Sequence, residues 1–308
     1  MIRVEKVACA DFGDVEELLT NFWRRGNEIK WHKLFEYQWR RDENYCGLAL
    51  KDEDKVVGFI GMIFSQRRID DSVEKFCNLT AWFVREDYRG RAIALLFPLF
   101  RMRNYTITDL TPARKVHRIQ NKLGLKDLDA KGRILLPIGR RLFQRKHTAL
   151  KMTHDLATIE RKLDGHHRKI FHDHQPYPCY HFLATETDRY CYLIYTKLKR
   201  KRPYAYIHYI SNLDFFELVY RDIRNEILSH SNTYFLLIDS RLVNNRRLPL
   251  SFCLPFRTPK QYMSSRLAPE QIDNLYSELV VLNLRTLPRL KYLFRDFGRK
   301  IFRSSIAV

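Results

Sequence analysis

A run of small and basic residues, Arg89-Gly90-Arg91-Ala92-Ile93-Ala94, follows an apolar, strand-like stretch that ends at Val84. The residues after the run predict a helix over 92–102. A strand that ends in a small-residue turn and opens a helix presents unpaired N–H groups and the positive helix end at one point. Arg89 and Arg91 add donors for charge-assisted hydrogen bonds. The run therefore predicts a phosphate site, although such short runs also form ordinary turns.

Length, composition and charge limit what the chain can be. Its 308 residues favour two domains, and a hydrophobic content of 45% with 13% aromatics is enough for packed cores. No apolar run is long enough to span a bilayer, and residues 1–14 do not resemble a signal peptide, so we expect a cytoplasmic protein. The net charge of +20 predicts an anionic partner: a phosphorylated cofactor or substrate, nucleic acid, or an acidic membrane surface.

The small-residue run 89–94 lies within an alternating series of predicted strands and helices, which would determine its position. Gly58 and Gly61 inside a predicted strand indicate a bulge or a close backbone approach, and Pro98 should kink or end the helix in which it lies. The hydrophobic patterns predict strands at 2–7, 45–50, 56–64, 77–84 and 106–110, and helices at 11–23, 31–40, 92–102 and 113–123.

The second half of the chain repeats this order. Residues 190–238 echo residues 45–110 as hairpin, third strand, helix and short apolar strand, but residues 210–215 lack a small-residue phosphate turn. The basic stretch 131–151 predicts a boundary between domains 1–150 and 151–308. Further predictions are strands at 180–184, 190–198, 205–210 and 234–238, and helices at 155–162, 214–228, 272–282 and 287–302.

Three other groups of residues could do chemistry, and each has a plainer interpretation. The scattered cysteines predict buried, reduced thiols. A histidine-rich stretch fits no standard zinc spacing, so we expect a solvated linker and no metal. Two basic segments, 140–146 and 287–303, could bind an anionic membrane or could form solvated faces. No known nucleic-acid module is recognisable, so we expect no dedicated nucleic-acid partner. The cysteines are Cys9, Cys46, Cys77, Cys179, Cys191 and Cys253. The histidine-rich stretch contains His166, His167, His172, Asp173, His174 and His181.

The first 130 residues resemble the GNAT superfamily, the acyl-CoA-dependent N-acyltransferases. The order of elements is that of the family. The segment Lys55-Val56-Val57-Gly58-Phe59 resembles its charged turn and apolar-glycine strand. The segment from Val84 to Ala94 resembles its pyrophosphate loop, of the form Arg/Gln-x-x-Gly-x-Gly/Ala. The segment Asn121-Lys122-Leu123-Gly124-Leu125 resembles the end of the family's last conserved helix.

The resemblance implies a site for acetyl-CoA or another acyl-CoA as co-substrate. Its pyrophosphate would lie on the amides of residues 89–94, and its pantetheine arm between strands 79–84 and 106–110, which splay apart in this family. An amine acceptor, such as an amino sugar, an amino acid or a carrier-linked precursor, would enter from the opposite side and attack the thioester. The implied cofactor-binding residues are Val84, Arg89, Gly90, Arg91, Ala92, Ile93, Ala94 and Gln120.

The chain departs from the family pattern at two positions. Ala92 replaces the middle glycine of the loop, which narrows the room for the pyrophosphate but keeps the N–H donor. Gln120 stands where the family often has a tyrosine that protonates the leaving thiolate, so Tyr105, Tyr88, His117 or water would take that role. Candidate bases are the flanking carboxylates, while an already neutral amine needs mainly orientation and an N–H that polarises the carbonyl. The candidate catalytic residues are Tyr105, His117, Asp109 and Glu74.

The sequence thus predicts an α/β protein of the α+β type with two GNAT-like domains in tandem. Each domain would contain a mixed, mostly antiparallel sheet flanked by helices. The first would bind acyl-CoA, and the degenerate second would supply structure and part of the acceptor pocket. The alternative is a non-catalytic basic relative that binds an anionic membrane surface or polyanion, placed at the inner face of the membrane.

Overall fold

The computed structural model describes residues 1–22, 29–39, 42–128, 131–137, 149–198, 202–284 and 286–289. The chain divides into two compact units, each containing a separate sheet. The first unit comprises Met1–Leu128 and Thr258–Leu284, and the second comprises Asp129–Arg257 and Arg285–Val308.

The first unit contains a seven-stranded sheet in the order β1-β2-β3-β4-β5-β14-β6. Only β4 and β5 are parallel, and the other neighbours pair antiparallel. Its elements are β1 Ile2–Ala8, α1 Phe12–Phe22, α2 Lys33–Glu36, β2 Tyr45–Asp52, β3 Lys55–Ile69, β4 Ser72–Val84, a 3-10 helix Glu86–Arg101, β5 Tyr105–Asp109, α3 Arg114–Lys122, β6 Lys126–Leu128, β14 Lys260–Met263, a 3-10 helix Pro269–Gln271 and α7 Glu278–Val281.

The core of the first unit forms where the apolar faces of β2, β3 and β4 meet the 3-10 helix Glu86–Arg101. Leu48, Ile60 and Leu79 come from the strands, and Leu95 and Leu99 come from the helix; all are buried. Burial of such side chains stabilises the sheet by roughly 1.5–3 kcal/mol each. The long hairpin of β3 and β4 is therefore a rigid support for what lies at the end of β4.

The second unit contains a seven-stranded sheet in the order β13-β7-β12-β11-β10-β9-β8, in which only β11 and β12 are parallel. Its apolar core packs the long helix α6 against this sheet. Its elements are β7 Lys131–Leu135, β8 Lys151–Thr153, α4 Leu156–Lys162, α5 Gly165–His174, β9 Cys179–Glu186, β10 Arg189–Leu198, β11 Tyr204–Ile210, α6 Leu213–Ser231, β12 Leu236–Asp239, a 3-10 helix Ser240–Val243 and β13 Ser251–Pro255.

The predicted α+β class and the two similar sheets are confirmed, but the units are not consecutive in the chain. Strand β7 from the first half of the chain lies between β12 and β13 of the second unit. Strand β14 from the second half lies between β5 and β6 of the first unit. The predicted boundary after residue 150 therefore differs from the observed division, because each sheet includes one strand from the other half of the chain.

Three predicted helices are wrong in kind or length. A 3-10 helix, Glu86–Arg101, replaces the turn and α-helix expected after Val84, and it continues through Pro98. The helix expected over 31–40 is limited to Lys33–Glu36, with extended backbone at Tyr37. The helix expected over 272–282 is limited to Glu278–Val281.

The histidine-rich stretch is not a linker. Asp164 accepts a hydrogen bond from the His167 N–H at 2.8 Å, which caps helix α5, and α5 buries Ile170, Phe171 and His174. His181 is buried in β9. Among the described residues, no group of three or more His, Cys, Asp or Glu side chains could hold a metal ion.

The cysteines are free thiols, as predicted, but only Cys46, Cys77 and Cys191 are buried. The described helices include none with the length and apolar character needed to cross a membrane. The basic segment 140–146 and residues 290–303 of the predicted terminal helix lie outside the described residues, so the membrane-binding alternative stays a prediction.

Candidate functional site

The parallel strands β4 and β5 separate halfway along β4. Residues 75–78 of β4 pair with residues 105–108 of β5, and the parallel register ends at Asn78 and Thr108. Beyond this point β4 stays paired with β3 as far as Val84, whereas Asp109 of β5 pairs with Gln261 of β14. Each strand follows its other neighbour, and a gap opens between them.

A β-bulge in β4 lies beside this gap. Phe83 pairs with Phe59 and Thr80 pairs with Gly61, so Ala81 and Trp82 together face a single residue of β3. Ala81 has a φ of +50°, a left-handed conformation that is uncommon for a residue with a side chain. A bulge leaves one residue out of the ladder and bends its strand, so β4 turns away from β5 here.

Gly61 explains how the bulge is accommodated. A Cβ atom on Gly61 would lie 2.6 Å from Leu34 Cδ2 and 3.0 Å from Thr80 Cγ2. Leu34 of α2 thus packs directly against the backbone of β3, opposite the residue that precedes the bulge. The close backbone approach predicted at this glycine is confirmed.

The gap forms a cleft with about 630 Å³ of empty space, part of which is open to solvent. Its walls are mainly apolar, with a few polar side chains at one end. Such a combination is typical of small-molecule sites. The lining residues are Ile29, Trp31, Thr80, Ala81, Trp82, Asp109, Thr111, Pro112, Ala113, Val116 and Leu284.

Asp109 ends β5 at the edge of this cleft and is only 6% exposed. Its Oδ2 accepts a hydrogen bond from Gln120 Nε2 at 2.8 Å, and its Oδ1 accepts one from the Thr111 N–H at 3.3 Å. Gln120 is fully buried on α3, so it acts as a fixed donor to Asp109 rather than as an exposed group. This contact gives the glutamine, unusual for the resembled family, a defined role in orienting a carboxylate.

A second buried carboxylate, Glu278 of α7, contacts the chain immediately after Asp109. Its Oε1 accepts hydrogen bonds from the Leu110 N–H and from Thr111 Oγ1, both at 3.0 Å. Its own N–H donates to Asn78 Oδ1 at 2.9 Å. Glu278 is not predicted from sequence, because nothing in the local sequence indicates that this segment returns to the first sheet.

Burial changes the acidity of both carboxyl groups. Desolvation, followed by the negative charge of Glu278, raises the pKa of Asp109 to about 8. Desolvation raises the pKa of Glu278 to about 7, against smaller opposing effects that include the charge of Lys260. Both groups therefore titrate near neutral pH, which is the range useful for proton transfer.

The other three candidate catalytic residues lie away from the cleft lining. Tyr105 donates a hydrogen bond to Glu43 at 2.5 Å at the opposite end of β5, and burial together with this bond raises the pKa of its phenol above the ordinary range. Glu74 lies near the start of β4 and accepts a bond from Ser72 at 3.0 Å. His117 on α3 contacts Asp127 at 2.8 Å. Among these candidates, the structure brings only Asp109 to the cleft.

The predicted phosphate-binding run lies within the 3-10 helix Glu86–Arg101. In a 3-10 helix each N–H after the first turn bonds to the carbonyl three residues earlier, as the Tyr88 N–H does with Arg85. The amides of Arg89 to Ala94 are thus used within the helix and do not form the open turn expected from the sequence. Arg89 is exposed and pairs with Glu86 at 2.7 Å, a surface contact that a phosphate could replace at little cost. The assignment of Val84 and residues 89–94 to cofactor binding stays a prediction.

The second unit has the same strand arrangement with different contents. Its β11 pairs in parallel with β12 over residues 205–207 and 236–238, and a register shift leaves His208 as the extra residue. His208 is fully buried and contacts Thr196 Oγ1 at 2.9 Å. Asp239 ends β12, as Asp109 ends β5.

Comparisons with known proteins identify a family match for part of the chain. Residues 12–95 match the model of the Acetyltransferase (GNAT) family, so the resemblance predicted from sequence is confirmed for that part of the chain. No curated protein sequence matches the chain significantly.

Solved structures extend the likeness of fold over most of the chain. A GCN5-related N-acetyltransferase from Anabaena variabilis ATCC 29413 is 16% identical, with 85% of this chain and 72% of that chain covered and a TM-score of 0.55. One from Kribbella flavida is 12% identical, with coverages of 85% and 70% and a TM-score of 0.54. A probable N-acyltransferase from Enterococcus faecalis V583 is 11% identical, with coverages of 87% and 74% and a TM-score of 0.55. The family model thus matches residues 12–95 of the first unit, and the solved structures share the fold of the wider chain.

Proposed function

We propose that the first unit binds an acyl-CoA in the cleft between β4 and β5 and transfers its acyl group to an amine. The observation that supports this most is the separation of β4 from β5 at a bulge within an otherwise paired sheet. An extended molecule that carries amide groups can occupy such a gap by bonding to the free edges of both strands. The pantetheine arm of coenzyme A is extended and contains two amides, so it suits this gap.

The bulge supplies the feature needed for activation of a thioester. Because Ala81 and Trp82 face one residue of β3, a backbone group beside the cleft is left out of the ladder. An N–H placed there would polarise the thioester carbonyl and stabilise negative charge on its oxygen. The amine nitrogen then attacks the carbonyl carbon, the carbon–sulfur bond breaks, and the coenzyme A thiolate leaves.

Asp109 is the proposed proton acceptor for the amine. It lies on the cleft, its carboxylate is oriented by Gln120, and its pKa of about 8 suits a base that acts near neutral pH. The amine gives one proton to Asp109 for each thiolate that leaves, so the overall charge is conserved. Tyr105 is a poor proton donor here, because its hydroxyl bonds to Glu43 at the far end of the strand.

The charged end of acyl-CoA is assigned to the exposed arginines of the 3-10 helix. Arg89 and Arg91 follow the end of β4 in the chain, and both are exposed. Guanidinium groups bind phosphate through parallel hydrogen bonds, and the net charge of +20 favours the approach of a polyanion. The acceptor class stays open among amino sugars, amino acids and carrier-linked amines.

A thermal shift assay with acetyl-CoA and longer acyl-CoAs tests the proposal. A bound ligand at 100 times its Kd stabilises the folded state by about 2.7 kcal/mol. Ala113 is exposed and lines the cleft, so Ala113→Trp should block the cleft without disturbing the core. Leu218 on α6 of the second unit is 59% exposed and offers a matched control, Leu218→Trp.

We expect wild type and Leu218→Trp to respond to at least one acyl-CoA and Ala113→Trp to lose the response. Conversion of Arg89 and Arg91 to glutamate should weaken binding without lowering the melting temperature of the free protein. Absence of any acyl-CoA response in the wild type would contradict the proposal. Where binding is observed, release of the free coenzyme A thiol from acetyl-CoA is measured with a panel of amines. The amines that give release identify the acceptor class.

A further inference from the structure

We propose that Glu278 is a positioning residue for acyl transfer, which fixes the point where β4 and β5 divide and sets the charge state of Asp109. This inference rests on the proposed function. Glu278 reaches this site from a segment that follows β14, far from the family-matched residues 12–95. The family match therefore carries no information about it.

The contacts of Glu278 hold both strands where they separate. Asn78 is the last β4 residue in the parallel register, and it receives the Glu278 N–H on its Oδ1. The Asn78 amide in turn donates to Thr108 Oγ1 at 3.0 Å, on the last β5 residue in that register. The Glu278 carboxylate binds Leu110 and Thr111, where β5 has ended. One residue thus connects β4 to the chain immediately beyond β5 at the inner end of the cleft.

The remaining atoms of Glu278 indicate that this is more than a structural connection. Glu278 is fully buried, and its Oε2 has no hydrogen-bond partner. An ionised buried carboxylate with an unpartnered oxygen is costly, and a protonated one places a neutral O–H there instead. A glutamine would satisfy the same donors with its Oε1 and would place no charge in the buried site.

The charged groups around the site are few. The negative charge of Glu278 acts on Asp109, and Lys260 of β14 is the positive group that acts on Glu278. The Lys260 ammonium donates to Asn274 Oδ1 at 2.9 Å. The other groups that contact the two carboxylates are neutral: Asn78, Leu110, Thr111 and Gln120.

Two nearby buried carboxyl groups do not ionise independently, and the pair loses its protons in two coupled steps. Between the two steps the pair holds one proton. When an ammonium acceptor gives a proton to Asp109, the charge of Glu278 makes that transfer more favourable. Glu278 thereby brings the basicity of Asp109 into the range of the reaction without contacting the amine.

Glu278→Gln is the direct test, since glutamine keeps the shape and the Oε1 acceptor but removes the charge. The pH dependence of kcat/KM is measured with acetyl-CoA and the most reactive amine of a panel of amino sugars, amino acids and aliphatic amines. Loss of the neighbouring negative charge should lower the pKa of Asp109, so the acid limb of the profile should move to lower pH by about one unit. Asn78→Ala is the matched control: it breaks the same strand connection without a change of charge and should leave the limb in place.

A second measurement does not depend on catalysis. Melting temperature is followed from pH 4 to 9, where the wild type should lose stability as the buried pair is forced to ionise and Glu278→Gln should show a shallower loss. A moved limb together with a shallower loss supports the inference. Transfer activity with an unmoved limb overturns it, as does acetyl-CoA binding with no acetylation of any amine. Failure of the wild type to bind any acyl-CoA would instead overturn the proposed function, and the inference with it.

Discussion

The two units contain the same strand junction, but they differ in the residues that occupy it. In the first unit, the residue on the neighbouring strand that pairs just before the bulge is Gly61, opposite Thr80. In the second unit, the corresponding residue is Tyr195, opposite Ile207, and it is fully buried. Where the first unit has a bulge that lines an open cleft, the second has the buried imidazole of His208.

The aspartates that end the parallel strands show the same contrast. Asp239 accepts hydrogen bonds from Tyr206 at 2.6 Å and from Arg241 at 3.1 Å, and all three residues are buried. Asp109 is bonded only to neutral donors and has a carboxylate as its charged neighbour. A paired carboxylate stabilises a fold as an ion, whereas Asp109 has the raised pKa expected of a proton acceptor. The junction itself is therefore structural, and the local charges determine whether it can do chemistry.

We expect the greatest loss of stability from a substitution in the junction of the second unit. Asp239→Asn removes the charge that compensates the buried Arg241 guanidinium, whose side chain is only 4% exposed. Loss of one partner of a buried ion pair costs about 3–5 kcal/mol. Urea unfolding at pH 7 should show this loss, while the affinity for acyl-CoA of the protein that remains folded should be unchanged. A neutral substitution would show that Asp239 is not the structural counterpart we describe.

The corresponding substitution at Asp109, in the junction of the first unit, should increase stability at alkaline pH instead of decreasing it. Because the folded-state pKa of Asp109 is raised to about 8, the folded chain holds a proton that the unfolded chain releases above about pH 4. Wild-type stability should therefore fall as pH rises from 4 to 8 and then level off. Asp109→Asn removes this loss, and its amide is satisfied when the Gln120 side-chain amide turns over and presents its otherwise unpartnered Oε1 in place of Nε2.

At pH 9 we expect Asp109→Asn to be more stable than wild type by a few kcal/mol, with little difference at pH 4. Acyl transfer should fall by at least tenfold in the same variant. Unfolding midpoints measured across this pH range provide the test. A variant that is less stable than wild type at pH 9 would refute the charge state assigned to Asp109.

A weaker effect on stability should come from Gly61, the β3 glycine that packs against Leu34 beside the junction of the first unit. Gly61→Ala forces a Cβ to within 2.6 Å of Leu34 and should cost about 1–3 kcal/mol. Gly90→Ala is the matched control, because nothing lies within 4 Å of a Cβ at that position, and it should change stability by less than about 0.5 kcal/mol. Thermal unfolding of the two variants measures the difference. Equal stabilities would show that the close approach of α2 is not required.

Local patterns in the sequence were enough to predict the parts of the site that depend on neighbouring residues. The charged turn before β3 and the end of α3 at Gly124, whose φ is +97°, were predicted from short-range rules for turns and helix caps. The separation of β4 from β5 and a cofactor site between them were expected from the family resemblance, and Asp109 was identified as a flanking carboxylate.

The remaining parts depend on contacts that are distant in the sequence. Glu278 lies 168 residues beyond Leu110, which donates to it, and its segment reaches the first sheet only because β14 crosses between halves. The 3-10 helix Glu86–Arg101 was also missed, since its apolar spacing resembles that of an α-helix. Gly90 and Pro98 within it weaken α-helical bonding, but neither residue determines the alternative.

The stoichiometry of acyl-CoA binding distinguishes a single binding junction from two. The acyl-CoA that gives the largest thermal shift is titrated into the full chain by calorimetry, with Ala113→Trp and Leu218→Trp as the paired variants. We predict one site per chain in the wild type and in Leu218→Trp, and none in Ala113→Trp. Two sites in the wild type, or one site that survives in Ala113→Trp, would contradict the assignment of binding to the junction of β4 and β5 alone.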